Sequence, residues 1–300
     1  MDRITFRAFN TVNVVSAHEC PTAVFEEVER LCGRYEALFS HTMPDSDLNR
    51  VNGSAGRTVE TSLELADLVA RSLRYCEATD GLFDITMGPV VSLWDFHRGA
   101  VPDGKLVESA LSHVDYRKVE VGKSSVRLAD PNARITLGGI AKGYIADVVL
   151  DLLSFRGIEH AIVNLGGNVA VMGGKPDGSP FNVGIRAPIS SKDGDESPVI
   201  SIPLMNGSLV TSGTYERCFV RNGKRYHHIL DPRTGYPATT NLESATIIAR
   251  SSLDADGLST APIVAGLPEA RKLIEPLEGI EAVFIDGEGT VSATMGVKLS

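Results

Sequence analysis

Between Thr22 and Phe39 the apolar residues recur every three or four positions, at Val24, Phe25, Val28, Leu31, Cys32, Tyr35, Leu38 and Phe39. That spacing predicts an amphipathic helix, with Pro21 suited to its first turn. The same period predicts a helix over 62–79, stopped by Asp80-Gly81, and another over 140–155, ended by Gly157. Residues 4–16 alternate and predict one opening strand. The segment 40–56 is polar and turn-rich, with Met43-Pro44-Asp45-Ser46 leading into a short helical piece. Stretch 83–96 is mixed in period, and two short β runs follow at 117–121 and 125–128. Beyond Gly157 the pattern turns β, with runs at 161–164, 169–172, 181–185, 199–204, 209–211, 217–220, 225–230 and 244–249. A helix over 254–266, bent by Pro262, another near 268–274 and a hairpin at 282–285 and 291–294 complete the chain. Helices and strands mix without strict βαβ alternation, so the expected class is α+β.

Only 189–197, rich in Ser, Asp and Gly, resembles a linker. It is too short to divide independent domains and reads as a long surface turn, so residues 1–300 are expected to form a single domain. A folded chain of this length buries about 75% of its extended surface, enough for a substantial core.

The net charge of −9 argues against bulk attraction to nucleic acid or anionic membranes. An anionic ligand would need a local cation, a lysine or backbone N–H groups. The cysteines Cys20, Cys32, Cys76 and Cys218 lie far apart, a poor zinc spacing and a poor disulfide framework. Cys32 and Cys76 fall on apolar helix faces and are expected to be buried thiols. The N-terminus has no apolar signal core, and no run is long enough to span a membrane. A cytoplasmic protein is therefore expected, or a periplasmic or lipoprotein form from which a leader was removed.

Three stretches carry chemistry. Gly138-Gly139 opens the helix over 140–155, with Lys142 one turn in. Free N–H groups and the positive dipole end make an anion site there; tight helix packing is the plainer explanation of the glycines. In Asp254-Ala255-Asp256-Gly257-Leu258-Ser259-Thr260, Asp256 and Thr260 share a helix face. Such a carboxylate and hydroxyl can hold a hard cation such as Mg²⁺, whereas Asp254 is expected to cap the helix start. Finally, His227-His228 end an alternating run before Asp231-Pro232-Arg233-Thr234-Gly235 turns the chain, with Leu209–Arg217 a possible hairpin partner. Neighbouring strand side chains point to opposite faces, so only one of the two histidines can face a given cleft.

Taken in order, these segments resemble the FAD:protein FMN transferase (ApbE-type) family. The resemblance is carried by Pro44-Asp45-Ser46 with Asn52, Phe83-Asp84-Ile85-Thr86-Met87-Gly88-Pro89 with Leu93-Trp94, and Gly138 through Tyr144. Val163-Asn164-Leu165-Gly166-Gly167, Thr211-Ser212-Gly213 with Tyr215-Glu216-Arg217, His228 through Pro237, and Asp256 with Thr260 complete it. These matches span nearly the whole chain.

The resemblance implies an α+β, T-fold-like core of two closely packed subdomains with the flavin site in the cleft between them. It implies breakage of the FAD pyrophosphate and transfer of FMN to a Thr or Ser hydroxyl of a partner flavoprotein, with release of AMP. The alternatives are an FAD diphosphatase at the same metal site and a flavin binder that does not turn over. Mg²⁺ (or Mn²⁺) would be held by Asp256, Thr260 and the Gly139 carbonyl. Lys142 would lie near the dinucleotide, Leu82, Phe83 and Asp84 would line the flavin pocket, and Phe39 would contact adenine or flavin. His228 would sit near the phosphates and help activate the acceptor hydroxyl, a role open to a near-neutral base. Two departures stand out. Thr136 replaces the aspartate most members carry before Leu-Gly-Gly, and Phe9-Asn10-Thr11 stands where Met-Gly-Thr is common.

Overall fold

The opening alternation is a hairpin rather than one strand. In the computed structural model, which describes residues 1–186 and 198–297, β1 (Asp2–Ala8) pairs antiparallel with β2 (Thr11–Ala17). The two turn residues, Phe9 and Asn10, both have positive φ, the geometry that matches strand twist in a two-residue hairpin. Asn adopts it easily and Phe does not. Phe9 is held there by donating its N–H to the Glu36 carboxylate at 2.6 Å. The surface turn expected at 189–197 lies outside the described residues.

Helix α1 (Thr22–Phe39) follows, then α2 (Asp47–Asn52), whose Ser46 cap accepts from Asn49 N–H. The short strand β3 (Val59–Glu60) precedes α3 (Leu63–Ala78). Stretch 83–96 contains α4 (Gly88–Val91). Helix α5 (Gly104–Leu111), capped by Asp103, was not expected from the pattern, being only two turns long. Strands β4 (Val119–Val121) and β5 (Ser125–Leu128) join β3 in a small sheet. Then come α6 (Ala141–Phe155), β6 (Ala161–Leu165), β7 (Asn168–Met172), β8 (Phe181–Arg186), β9 (Pro198–Leu204) and β10 (Gly207–Gly213). Strands β11 (Cys218–Arg221) and β12 (Lys224–His227) form a separate hairpin. The chain ends through β13 (Leu242–Ala249), α7 (Ser252–Ser259), α8 (Ala261–Ala265), α9 (Leu267–Ile274), β14 (Glu281–Asp286) and β15 (Val291–Ala293).

The central sheet is antiparallel throughout, in the order β1-β2-β6-β7-β10-β13-β14-β15. Strand β10 is thus a central strand, and the partner of the histidine strand is β11, not the 209–217 run. The reason is burial: Gly207 through Val210 are buried and pack inside the sheet, whereas β11 is mostly exposed.

The apolar stripes of α1, α3 and α6 pack with β1, β2 and β6 around Val28, Cys32, Leu68, Cys76, Ile145 and Val163. Each such fully buried side chain contributes ~1.5–3 kcal/mol, so these stripes fix which face of each helix meets the sheet. Helices α7–α9 pack on β13 and β14. The β8–β9 hairpin adds a third layer through Phe181, Ile185, Ile202 and Leu209. A smaller core gathers Val90, Trp94, Leu230 and Tyr236 beside the β11–β12 hairpin.

Candidate active site

The site is built where α6 crosses α7. A Cβ placed on Gly143 would sit 2.3 Å from the Ser252 carbonyl oxygen and 2.6 Å from Asp256 Cβ, so only glycine permits the crossing. Bringing the backbones this close lets Gly143 N–H donate to Asp256 Oδ2 at 2.8 Å. Asp256 is only 5% exposed. Burial raises its pKa, opposed by the Lys142 ammonium, the Gly143 N–H and the neighbouring Asn168 side chain. At the mouth itself a Cβ on Gly139 would lie 3.2 Å from the Phe83 ring, whereas one on Gly138 would meet only Thr136 Oγ1 at 3.8 Å, so Gly139 is closely packed and Gly138 less so.

The predicted 254–266 helix is broken at Thr260, where α7 gives way to α8 ahead of Pro262. Its cap is Ser251, which accepts from Asp254 N–H, so Asp254 is not the capping residue. Two extra residues of helix precede the expected start, and the Asp254 carboxylate instead accepts from the Tyr75 hydroxyl.

At the break, Thr260 Oγ1 lies 3.7 Å from the Cβ position of Gly139, which places the hydroxyl beside the mouth of α6. A hydroxyl chain holds it there. Ser212 Oγ is 3.4 Å from Thr260 Oγ1 and 2.8 Å from Ser259 Oγ, which donates to the Asp256 carbonyl at 2.9 Å. Ser212 and Ser259 were not singled out for a role in the sequence. The only signal for Ser212 is its place in Thr211-Ser212-Gly213.

Phe83 faces the same opening, its ring 3.2 Å from the Cβ position of Gly139. Thr136 N–H donates to the Ile85 carbonyl at 2.8 Å, tying the 83–87 segment to the helix mouth. Leu82 is half-buried between two apolar clusters. Asp84 turns inward: its carboxylate accepts from Thr86 N–H at 2.7 Å, Thr86 Oγ1 at 2.6 Å and Tyr116 N–H at 3.3 Å. Burial raises its pKa against those donors. Phe39 is buried at the end of α1 against Tyr35 and Tyr144, so it abuts α6 from below.

His227 is buried and its Nε2 lies 3.0 Å from the Ala238 carbonyl. His228 N–H donates to the Arg217 carbonyl, and its Nδ1 is buried with no hydrogen-bond partner among the described residues. Burial, helped by the charge of Arg217, pushes its pKa down to about 3, with Lys142 adding to the same effect. His228 is therefore a neutral imidazole at pH 7, a weaker base than its sequence suggests. Lys142 reaches the Gly166 carbonyl at 3.4 Å. Lys142, Asp256 and His228 thus share one electrostatic neighbourhood.

The residues expected to hold a cation, Asp256, Thr260 and the Gly139 carbonyl, would offer it only oxygen atoms. That is the chemistry of a hard divalent ion that keeps several waters. Among the described residues no group of three or more His, Cys, Asp and Glu side chains is arranged to hold a metal ion. A 560 Å³ surface groove lined by Asn49, Arg50, Ser54 and Arg57 contains none of the predicted site residues.

The family model for the ApbE family matches residues 5–284. The chain belongs to the ApbE family. A protein of Treponema pallidum called FAD:protein FMN transferase is 36% identical over 293 residues, covering 92% of this chain and 80% of that protein. A Klebsiella pneumoniae protein with the same name is 36% identical, covering 88% of this chain and 82% of its own length. The crystal structure of the ApbE protein of Thermotoga maritima superposes with a TM-score of 0.87 at 33% identity, covering 98% and 97% of the two chains. The apo flavinyl transferase ApbE of Pseudomonas stutzeri gives 0.86 at 30% identity, covering 98% and 94%. The α+β expectation is thus borne out at the level of the ApbE fold. No helix among the described residues is long and apolar enough to cross a membrane.

Proposed function

We infer that this chain transfers FMN from FAD to a Thr or Ser hydroxyl of a flavoprotein and releases AMP. The ApbE relatives named FAD:protein FMN transferase support the reaction class. The observation that carries it to these residues is convergence. Gly139 and Lys142 of one stretch adjoin Asp256 and Thr260 of another at the α6–α7 crossing, and His228, from a third, lies within reach of the Lys142 charge.

Mg²⁺ suits the Asp256, Thr260 and Gly139 oxygens, and when bound it neutralises charge on the diphosphate. The chain's own part is to hold and orient. At the N-terminus of α6 the N–H groups of Ile140, Ala141, Gly143 and Tyr144 are taken within the protein, which leaves those of Gly138, Gly139 and Lys142 for a phosphate. Lys142 adds a cation on the same side. Phe83 offers a ring edge at the mouth for the flavin, with Leu82 behind it. Asp84 spends its oxygens on Thr86 and Tyr116, so its contribution is to shape the turn that presents Phe83.

The acceptor hydroxyl oxygen forms a bond to the FMN phosphorus as the bridging P–O bond breaks, and AMP carries the bridging oxygen away. The hydroxyl proton passes to the His228 imidazole. Low basicity means that this transfer is effective only as the new O–P bond forms and acidifies the hydroxyl.

The test is incubation with FAD and Mg²⁺, with and without a flavoprotein acceptor domain, following AMP by chromatography and covalent flavin by in-gel fluorescence. Flavin on the acceptor together with AMP is the expected result. AMP and free FMN regardless of acceptor would replace transfer by hydrolysis, and no AMP in either tube would overturn the reading.

A further inference from the structure

On a chain of net charge −9, residues 217–225 hold Arg217, Arg221, Lys224 and Arg225 and no acid, with the exposed Glu216 just before them. These residues form the β11–β12 hairpin and its lead-in. Arg225 pairs with Glu243, but Arg217, Arg221 and Lys224 are exposed and make no ion pair among the described residues. The hairpin is rigidly built. Its Asn222-Gly223 turn has φ of 52° and 74°, the type that fits strand twist. One of its faces is stacked: Phe219 on Tyr226 at 5.2 Å, Phe96 against Phe219 at 6.0 Å and Trp94 on Phe96 at 5.6 Å. Trp94 is itself pinned, donating its indole N–H to the Gly235 carbonyl at 3.1 Å.

The position of this prong matters as much as its charge. His228 is the residue after β12, and its N–H is held by the Arg217 carbonyl at the hairpin's base. Strands rise ~3.3 Å per residue, so Arg221 and Lys224 lie about 10–14 Å from the histidine along the hairpin. That is the span of three or four residues of extended peptide. A groove of about 210 Å³ lined by Thr214, Lys224, Arg225, His227 and residues 237–240, but not by His228, borders the hairpin.

We propose that the β11–β12 hairpin is the docking prong for an acidic segment flanking the acceptor hydroxyl of the flavoprotein that receives FMN. The proposal rests on the FMN-transfer reading above. A prepositioned cationic hairpin loses little order on binding and steers a negatively charged segment toward His228.

The probe is a fluorescein-labelled peptide with a single Thr flanked on both sides by Asp pairs, with an Asn counterpart, read by fluorescence anisotropy. The variant is R221E/K224E at the tip, away from the reacting groups. The Asp peptide should bind wild-type protein more tightly as salt is lowered, and about tenfold or more weakly to the variant. Tm and acceptor-free AMP release should be unchanged. Equal binding of the Asp and Asn peptides, or no effect of the double reversal, overturns the prong. Binding of phosphatidylserine vesicles through Arg221 and Lys224, with none of the Asp peptide, would make it a membrane contact and also overturn it. Failure of wild-type protein to release AMP from FAD would instead count against the FMN-transfer reading, independently of peptide binding.

Discussion

Helices α6 and α7 exchange carboxylates at their crossing, and the two are treated very differently. Asp147 of α6 takes three donors from the start of α7: Ser251 Oγ at 2.7 Å, Ser252 N–H at 2.7 Å and Leu253 N–H at 3.0 Å. Asp256 of α7 takes one hydrogen bond among the described residues, from Gly143 N–H at the start of α6. Burial raises the pKa of both. For Asp147 three donors oppose that cost; for Asp256 the opposing groups are the Lys142 ammonium, one backbone N–H and the Asn168 side chain. One carboxylate is saturated by its own chain, and the other is held with coordinating capacity left over. Buried, under-satisfied charge is what a cation or phosphate site requires and what a purely structural residue avoids.

The largest expected effect separates the pair by function. Asp256→Asn should lower AMP release from FAD by about 10³, the scale of losing several kcal/mol of charge stabilisation. Asp147→Asn should leave AMP release within about threefold in protein that remains folded. Steady-state AMP release for both variants checks this, and equal losses would erase the distinction. Next in size, His228→Ala should slow flavin transfer by ~10²–10⁴ while FAD still binds, as followed by flavin fluorescence.

Stability should split the carboxylates the other way. Asp147→Ala strands two buried N–H groups and a hydroxyl, a loss of about 2–3 kcal/mol, and calorimetry should show Tm falling by about 5 °C. For Asp256 the folded pKa lies above the unfolded one, so ionisation at neutral pH destabilises the apo protein. Asp256→Asn, which still offers an oxygen to Gly143 N–H, should therefore raise apo Tm by about 2 °C. A fall in Tm would mean that its charge is already compensated.

A further effect concerns acid. His228 has a folded pKa of about 3 against an ordinary 6.5. Below pH 6.5 the unfolded chain binds a proton that the folded chain refuses, so stability falls as pH drops from 6.5 toward 3. His228→Gln should flatten part of that slope, by up to a few kcal/mol at pH 4. Urea titrations at pH 7 and pH 4 would measure it.

Much of this was legible from residue spacing. The stripes of α1, α3 and α6 repeat with the helical period and are the faces that the core buries. Asp256 and Thr260 stand out because a carboxylate and a hydroxyl four residues apart share a face. What escaped were interactions between distant stretches. Asp147 meets its partners more than a hundred residues away, and Ser212 meets Ser259 across a strand-to-helix contact. Neither pairing leaves a periodic trace. The Phe9-Asn10 turn was hidden for another reason: a carboxylate from α1 holds Phe in a conformation that its own preference disfavours. The β10 and β11 pairings were exchanged because edge and centre differ in burial, which short β runs do not reveal.

The most direct measurement is parallel Mg²⁺ titration of AMP release from FAD by wild-type protein, Asp256→Asn and Asp147→Asn, each checked for folding by its melting curve. The expected result is saturable Mg²⁺ activation for wild type and Asp147→Asn, and loss of it in Asp256→Asn with its melting curve intact. Undiminished Mg²⁺ activation in Asp256→Asn would contradict the division of labour between the two carboxylates.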